Sequence, residues 1–404
     1  METKLLLDAL PAPSSGAVDL FIIAGEHSGD ELAAACIDQL KESQPDLKIA
    51  CLGGPKLKAS GADLIFNLVD HSVVGLVDVL KNYSFFKSLF NQCLDWIERY
   101  RPKHICLVDY PGFNLRLAKA LRKQKLSTKG GGSIGLYHYV SPQIWSWKSK
   151  RRFEMARSLD ALAALLPFEK DCYADTNLPV TYVGHPFAET GYSLPVYYDA
   201  EGPLLMLPGS RVNAVEKIAP IIFEAFRQLA EQSGKLKGVV IYPSASILNL
   251  LEQQIERFPD IVDRIEFINK DRVPIGVCAS IMSSGTMSLN MALASIPGVI
   301  LYSMSPLNYG LISLLVRVRF IGLANIILDQ NIYPELIQKA AQPEAIVELM
   351  APFLRDKAHL DSFIDASNAL KHKLYHAREM SVSKWLEGLI ASDSIEGPSQ
   401  SRQV

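Results

Sequence analysis

Near the midpoint of the chain an apolar run, Leu204-Leu205-Met206-Leu207, breaks at Pro208-Gly209-Ser210-Arg211 and reopens as an amphipathic helical pattern from Val215 to Leu229. A strand, a tight turn and a helix in that order restrict the chain to folds with a parallel sheet, and they make a place to hold an anion. The turn offers backbone N–H groups and a helix N-terminus, and Arg211 adds a planar, permanently charged fork that can grip two phosphate oxygens. A diphosphate suits such a site. Because the junction falls halfway along, the second half is expected to be the nucleotide domain, leaving the first half another task.

Length agrees: 404 residues exceed one ordinary core and predict about two domains. Lys+Arg 41 against Asp+Glu 43 leaves no bulk positive field, so nucleic acid is not an expected partner and any anionic ligand must be met locally. The six cysteines, at 36, 51, 93, 106, 172 and 278, form no Cys-x-x-Cys pair and sit mostly in apolar runs, which favours a reducing, cytosolic home. Met1 to Ser15 lacks the basic segment and long apolar core of a secretory signal. The longest apolar stretch, Leu311 to Ile321, is broken by Arg317 and Arg319 and is too short to span a bilayer, so a soluble or peripheral protein is expected.

Strand and helix patterns alternate along both halves, as in a sheet covered by helices on both faces. Asp19 to Ala24 predicts a strand, followed by the turn Gly25-Glu26-His27-Ser28-Gly29-Asp30 and a helix from Glu31 to Glu42. Ile105 to Val108 predicts a strand ending at Asp109, with a helix from Leu115 to Gln124, and Ile134 to Val140 a strand running into Ser141-Pro142. Residues 184–203, rich in glycine and proline, read as the linker, after which strands are expected at 204–207, 238–242, 277–282 and 298–302. From Pro343 only helical patterning remains.

Ligands of open parallel sheets sit beyond the carboxyl ends of the strands, where all these polar turns fall. The first turn, with Glu26, Ser28 and Asp30, reads either as a glycine turn whose Ser28 or Asp30 caps the helix, or as a contact for a sugar or acceptor hydroxyl. Asp109, forced out at a strand end before Tyr110-Pro111-Gly112, is a candidate general base, or else a helix N-cap. Ser284, Gly285 and Thr286 open the helix Met287 to Ala294 and would let a phosphate approach the backbone, with Asn290 one turn further on. His372 and His376 fit a solvated helix face better than a metal site, and no Asp-x-Asp motif indicates a metal-held diphosphate; neither metal nor cofactor is expected. Val73 to Phe86 interleaves apolar residues, two lysines and three aromatics, which suits equally a buried helix and a greasy, basic-edged surface for acyl chains or a membrane.

With those residues in view, the chain resembles the lipid-A-disaccharide synthase family of GT-B glycosyltransferases. The likeness runs from about residue 19 to 342 and rests on Ala24-Gly25-Glu26 with Ser28-Gly29-Asp30, Gly53-Gly54-Pro55, Val74-Gly75-Leu76, Asp109 with Phe113-Asn114, Tyr139-Val140-Ser141-Pro142 with Trp145 and Trp147, Pro167-Phe168-Glu169, Val183-Gly184-His185-Pro186, Leu207-Pro208-Gly209-Ser210-Arg211, Ser284-Gly285-Thr286, Ser305-Pro306-Leu307, Asn325-Ile326 and Pro334-Glu335-Leu336. It implies an α/β GT-B architecture: an acceptor and lipid domain over 1–185, a UDP-sugar domain over 186–350, the two facing a cleft, and a helical tail over 351–404 packing back on the first domain.

The implied reaction is inverting transfer of 2,3-diacylglucosamine from UDP to the 6-hydroxyl of 2,3-diacylglucosamine 1-phosphate, at the cytoplasmic face of the inner membrane, with a homodimer among the allowed states. The implied catalytic residues are Asp109, with Glu26 as the other candidate base, and Arg211. Gly25, Ser28, Ser141, Ser210, Ser284, Gly285, Thr286, Asn290, Asn325 and Glu335 are implied substrate contacts, and Val74, Leu76, Phe85 and Phe86 would meet acyl chains or the membrane. Three positions depart from the family's habit: Asn290 stands where it usually carries Glu, Ala214 where it carries an acid, and Ser303 where it carries a base. An amide in place of a carboxylate at the ribose would cost on the order of 1–2 kcal/mol of nucleotide affinity. The competing classes are a non-catalytic relative that binds lipid or nucleotide, and a GT-B enzyme using another UDP-sugar.

Overall fold

The computed structural model describes residues 9–71, 83–189, 191–272, 274–283, 287–303 and 319–392. They fall into two compact units, Met1–Pro186 with Ala377–Val404, and Phe187–His376.

The first unit is a seven-stranded parallel sheet in the order β3-β2-β1-β4-β5-β6-β7. Its strands are β1 (Leu20–Ala24), β2 (Ile49–Gly53), β3 (Asp63–Asn67), β4 (His104–Val108), β5 (Gly135–Tyr139), β6 (Ala161–Ala164) and β7 (Val180–Tyr182). Along β1 and β4 every residue is buried, because side chains alternate between two covered faces. Phe21, Ile23, Ile105 and Leu107 point into a core with Leu89, Cys93 and Ile97 of α3 (Tyr83–Tyr100) and Leu117 and Leu121 of α4 (Pro111–Lys123). Leu20, Ile22, Cys106 and Val108 face Ala33, Ile37 and Leu40 of α1 (His27–Ser43).

Two expectations about the helices change here. The α1 and α4 helices begin about four residues earlier than their apolar patterns suggest, at His27 and Pro111, directly on the strand ends. Proline at the first position of α4 fits, since its missing N–H would have had no helical partner. Phe85 is buried in the first core, its ring 5.0 Å from His71 and 5.4 Å from Phe86, which is itself packed against that core. Burial gives Phe85 a packing role in place of the expected membrane role, Phe86 is partly buried beside it, and Val74 and Leu76 lie outside the described residues.

The second unit repeats the plan with six parallel strands in the order β11-β10-β9-β13-β14-β15. These are β9 (Leu204–Leu207), β10 (Gly238–Tyr242), β11 (Ile265–Asn269), β13 (Ala279–Ser283), β14 (Gly298–Tyr302) and β15 (Glu335–Ile337). The segment read as a bare linker carries β8 (Val196–Tyr198), which pairs in parallel with β12 (Ile275–Val277). Between strands lie α5 (Arg151–Ser158) in the first unit, then α6 (Val212–Gln232), α7 (Ala245–Ile255), α8 (Met287–Leu293) and α9 (Leu323–Leu328) in the second.

The helical tail is not one body. Two of its helices, α10 (Pro343–Arg355) and α11 (Lys357–His376), belong to the second unit, whereas α12 (Val382–Ser392) belongs to the first. The apolar stripe of α12, Val382, Trp385, Leu386 and Ile390, completes the core under α1. On α11, Ser367 and Leu370 are buried and Ser367 donates to the Ala292 carbonyl. Each helix goes where its own buried stripe has a partner.

Candidate active site

Each sheet reverses its strand order once. In the first unit the reversal lies between β1 and β4, and in the second between β9 and β13. A crevice opens at such a point because the flanking connections leave on opposite faces.

At the first crevice β4 ends in Asp109, whose N–H donates to the Tyr139 carbonyl at 2.9 Å. Asp109 (φ 46°), Tyr110 (φ 49°) and Val140 (φ 75°) all hold left-handed backbone. For Val140, a β-branched residue, this is a costly conformation, and such outliers gather at functional sites. Asn114 holds the arrangement: its Nδ2 donates to the Asp109 carbonyl at 2.8 Å and also reaches the carbonyls of Val108 and Ile23. Gly25 is buried against Tyr110, whose ring occupies the space a Cβ would need, so this glycine serves packing and is not an open substrate contact.

The half-buried carboxyl of Asp109 is pushed from 3.8 up to about 6, mainly by burial and next by the charge of Glu26, against a hydrogen bond from the Tyr110 N–H. Glu26 occupies the N-cap position of α1 and, like Ser28, is exposed. A third acid, Glu169, was singled out in the sequence only through Pro167-Phe168-Glu169. It is buried and accepts from the N–H groups of Leu165 and Leu166 at 3.1 and 3.0 Å and from Trp145 Nε1 at 3.3 Å. Burial, and to a smaller extent Asp109, push Glu169 up to about 8 against those donors.

Two expected contacts are absorbed by the scaffold. The Oγ of Ser141 lies 3.0 Å from the Tyr173 hydroxyl and is buried. Asp30 caps neither its own helix nor a sugar, because it accepts from the N–H groups of Gly54, Lys56 and Leu57 at the start of the next helix, Pro55–Ala59.

At the second crevice Gly209 has φ 116°, a backbone only glycine adopts without strain, and a Cβ there would lie 3.2 Å from Ser283 Oγ. Arg211 is exposed at the N-cap of α6, no side chain caps that helix, and its first turn carries no acid. The guanidinium lies close enough to Tyr302 to lower that phenol's pKa against the burial that raises it. Ser210 is exposed on the same turn. Ser284, Gly285 and Thr286 lie outside the described residues. Asn290 is buried, its Nδ2 3.6 Å from Met287 Sδ and its Oδ1 without a partner among the described residues.

Asn325 and Glu335, both expected to meet the nucleotide, are brought together in one hydrogen-bonded turn. Asn325 lies in α9, fully buried, donating to the Tyr333 carbonyl and Glu335 Oε1 at 2.8 Å each and accepting from the Tyr333 N–H at 3.0 Å. Glu335 also accepts from the N–H groups of Ile321 and Gly322. Both side chains brace that turn. A cavity of about 1020 Å³ opens elsewhere in this unit, beside Pro203, Lys237 and Gly238 at the amino-terminal strand ends. That end faces away from the helix N-termini and the crevice, and is not the candidate site.

Two Rossmann-like units, one carrying an acid and the other a glycine turn at the switch point, define the GT-B fold. The glycosyltransferase of kitacinnamycin superposes with TM-score 0.58 at 11% identity, over 92% of this chain and 99% of its own. A UDP-N-acetylglucosamine 2-epimerase described as putative, from Listeria monocytogenes, does so with TM-score 0.58 at 11% identity, over 96% and 99%. Likeness at that identity shows the fold alone. The family description lipid-A-disaccharide synthetase matches residues 20–384, and the lipid-A-disaccharide synthase of Trichlorobacter lovleyi is 32% identical over 375 residues, 89% of this chain and 92% of that one. The chain belongs to the lipid-A-disaccharide synthetase family and is an enzyme of lipid A biosynthesis.

Proposed function

We propose that the chain transfers 2,3-diacylglucosamine from its UDP derivative to the 6-hydroxyl of 2,3-diacylglucosamine 1-phosphate, with Asp109 as the base and Arg211 as the cation that receives the leaving diphosphate. The observation that carries this reading is Asp109 itself: a half-buried carboxyl at the crevice, on left-handed backbone, raised to about 6. A base with a pKa just below neutrality is mostly ionised at pH 7 and still basic enough to take a proton in the transition state.

In the reaction Asp109 removes the proton as the acceptor oxygen bonds to the anomeric carbon. The bond from that carbon to the diphosphate breaks on the opposite side, with inversion, and UDP departs. Charge grows on the departing phosphate, where Arg211 and the uncapped start of α6 supply a fixed cation and dipole. Glu26 keeps Asp109 basic by like-charge repulsion. Both substrates carry two acyl chains, so the enzyme works as a peripheral protein at the inner-membrane surface. Among the described residues no helix is long and apolar enough to cross a membrane.

The test is incubation with UDP-2,3-diacylglucosamine and the monosaccharide phosphate, with mass detection of the disaccharide. Release of UDP without disaccharide would replace this reading with hydrolysis or another acceptor.

A further inference from the structure

The loop from β5 to α5 leaves the crevice beside Asp109 and carries an unusual collection of cations. It is anchored at its start by Val140, whose N–H donates to the Ala163 carbonyl, and midway by Trp145 on Glu169. Beyond that anchor Trp147 is 39% exposed, with Lys148 Nζ 4.1 Å and the Arg151 guanidinium 5.2 Å from its ring centre. Lys148 itself holds left-handed backbone (φ 54°), and its carbonyl accepts the Arg151 N–H at 2.9 Å, which fixes the turn that carries both cations.

Across from them, on α4, stands Arg116. Arg151 and Arg116 line a cavity of about 210 Å³ with Pro111, Gly112 and Leu115. The acid in this cavity, Glu154, is already engaged by Lys119, Arg122 and Arg157 at 3.6, 3.0 and 2.8 Å. Among the described residues Arg116, Lys148 and Arg151 have no carboxylate within ion-pair distance, and like charge acts among them: Lys148 is lowered by burial, then by Arg151 and Arg116, and Arg151 by burial, then by Arg116. Like charges held together without a counter-ion on a fixed turn make a site for an anion.

We propose that Arg116, Lys148 and Arg151 bind the 1-phosphate of the acceptor. The inference rests on the proposed reaction and adds to it the means by which the acceptor is recognised and oriented. Pro111 and Gly112 are two and three residues from Asp109, so the cavity begins within roughly 11 Å of the base. In a hexose 1-phosphate the phosphate on C1 and the 6-hydroxyl borne on C5 flank the ring oxygen. Phosphate on the three cations and hydroxyl at Asp109 then hold the sugar at two points and set which hydroxyl meets the base. The apolar floor of the cavity, Leu115, Met155 and Leu159, accommodates the start of an acyl chain.

The test compares the wild type with Arg116→Gln/Arg151→Gln in uncharged detergent micelles, using the phosphorylated acceptor and the same lipid without its phosphate. Expected are a roughly 10- to 100-fold rise in acceptor KM for the double variant, an unchanged donor KM, and no further loss when the phosphate is also removed. Equal losses on both acceptors, together with lost sedimentation on anionic vesicles, would mean that the patch reads a bilayer and would overturn the proposal. An unchanged acceptor KM would overturn it as well. If the wild type makes no disaccharide, the proposed reaction fails by itself, and calorimetric binding of the two lipids to both proteins still decides the phosphate site. Arg116→Gln alone, folded by its melting curve, serves if the double variant is unstable.

Discussion

The two strand-order reversals are built alike and charged oppositely. In the first unit the crevice holds Asp109 with Glu26 and Glu169 close enough to raise or sense its charge; in the second it holds a glycine turn, an uncapped helix and Arg211. On the proposed reaction, the same topology supplies a proton acceptor once and an anion receptor once. The first crevice stores its function in strain and burial, with three left-handed non-glycine residues and a carboxyl far from its ordinary pKa. The second does so in open backbone geometry, with glycine where the turn needs it. Substitutions should accordingly act on the two in different ways.

The largest effect is expected from Asp109→Asn, which removes a group that acts in the transition state. Turnover should fall roughly a hundredfold or more while UDP binding is kept. The same change should stabilise the fold at neutral pH. A carboxyl whose folded pKa is raised from 3.8 to about 6 favours the folded state only below pH 4, and that contribution is lost as pH rises through 6. The variant should thus gain about 1–3 kcal/mol over wild type at pH 7 and nothing near pH 4. Melting curves at both values, beside the rate, check this, and near-normal turnover would pass the role of base to Glu26.

Arg211→Lys should lower kcat/KM by about tenfold or more, since a point charge does not reproduce a two-pronged grip on a diphosphate. Steady-state kinetics with and without EDTA test both halves of the idea. Full activity of the Lys variant, or loss of wild-type activity on chelation with rescue by magnesium, would sink it.

A smaller loss, read as stability, is expected from Gly209→Ala. The strained backbone and the contact with Ser283 should cost about 1–3 kcal/mol of stability in the second unit. Chemical denaturation followed on that unit reads it, and a neutral result would mean the turn adopts another conformation.

The mildest change is Glu26→Gln. With one negative neighbour gone, the acidic limb of the kcat/KM profile, expected near pH 6, should move to lower pH while the plateau rate changes little. A plateau that collapses instead would make Glu26 a reacting group.

Legibility in the sequence follows the same division. The strand, glycine turn and helix around 208–211 could be read because the signal is local: an apolar run, a glycine and an amphipathic pattern in succession. Asp109 could be found for the same reason, as a charge ending an apolar run. Glu169, Asn114 and the left-handed Val140 were not legible as parts of the site. They join it through contacts across the ends of neighbouring strands, such as Asn114 reaching Ile23, 91 residues away. Short strands such as Ala161–Ala164 escaped for a related reason, since three alanines and a leucine gain their extended form from β5 and β7 on either side.

Sequence by itself determined the alternation of strands and helices, the two-unit plan and the polar turns at the strand ends, because each depends on periodicity and turn chemistry within a dozen residues. Which polar residues stayed open to a ligand was decided only in three dimensions. Ser141, Asp30, Asn325 and Glu335 carry suitable chemistry, yet each is consumed by a nearby N–H, hydroxyl or amide group. Phe85 and Trp147 are aromatics beside lysines in the sequence, but one is packed in a core and the other stands out in solvent under two cations. Apolar spacing is the same for a helix buried against a sheet and for one laid on a membrane, and only the neighbours brought by the fold separate the two.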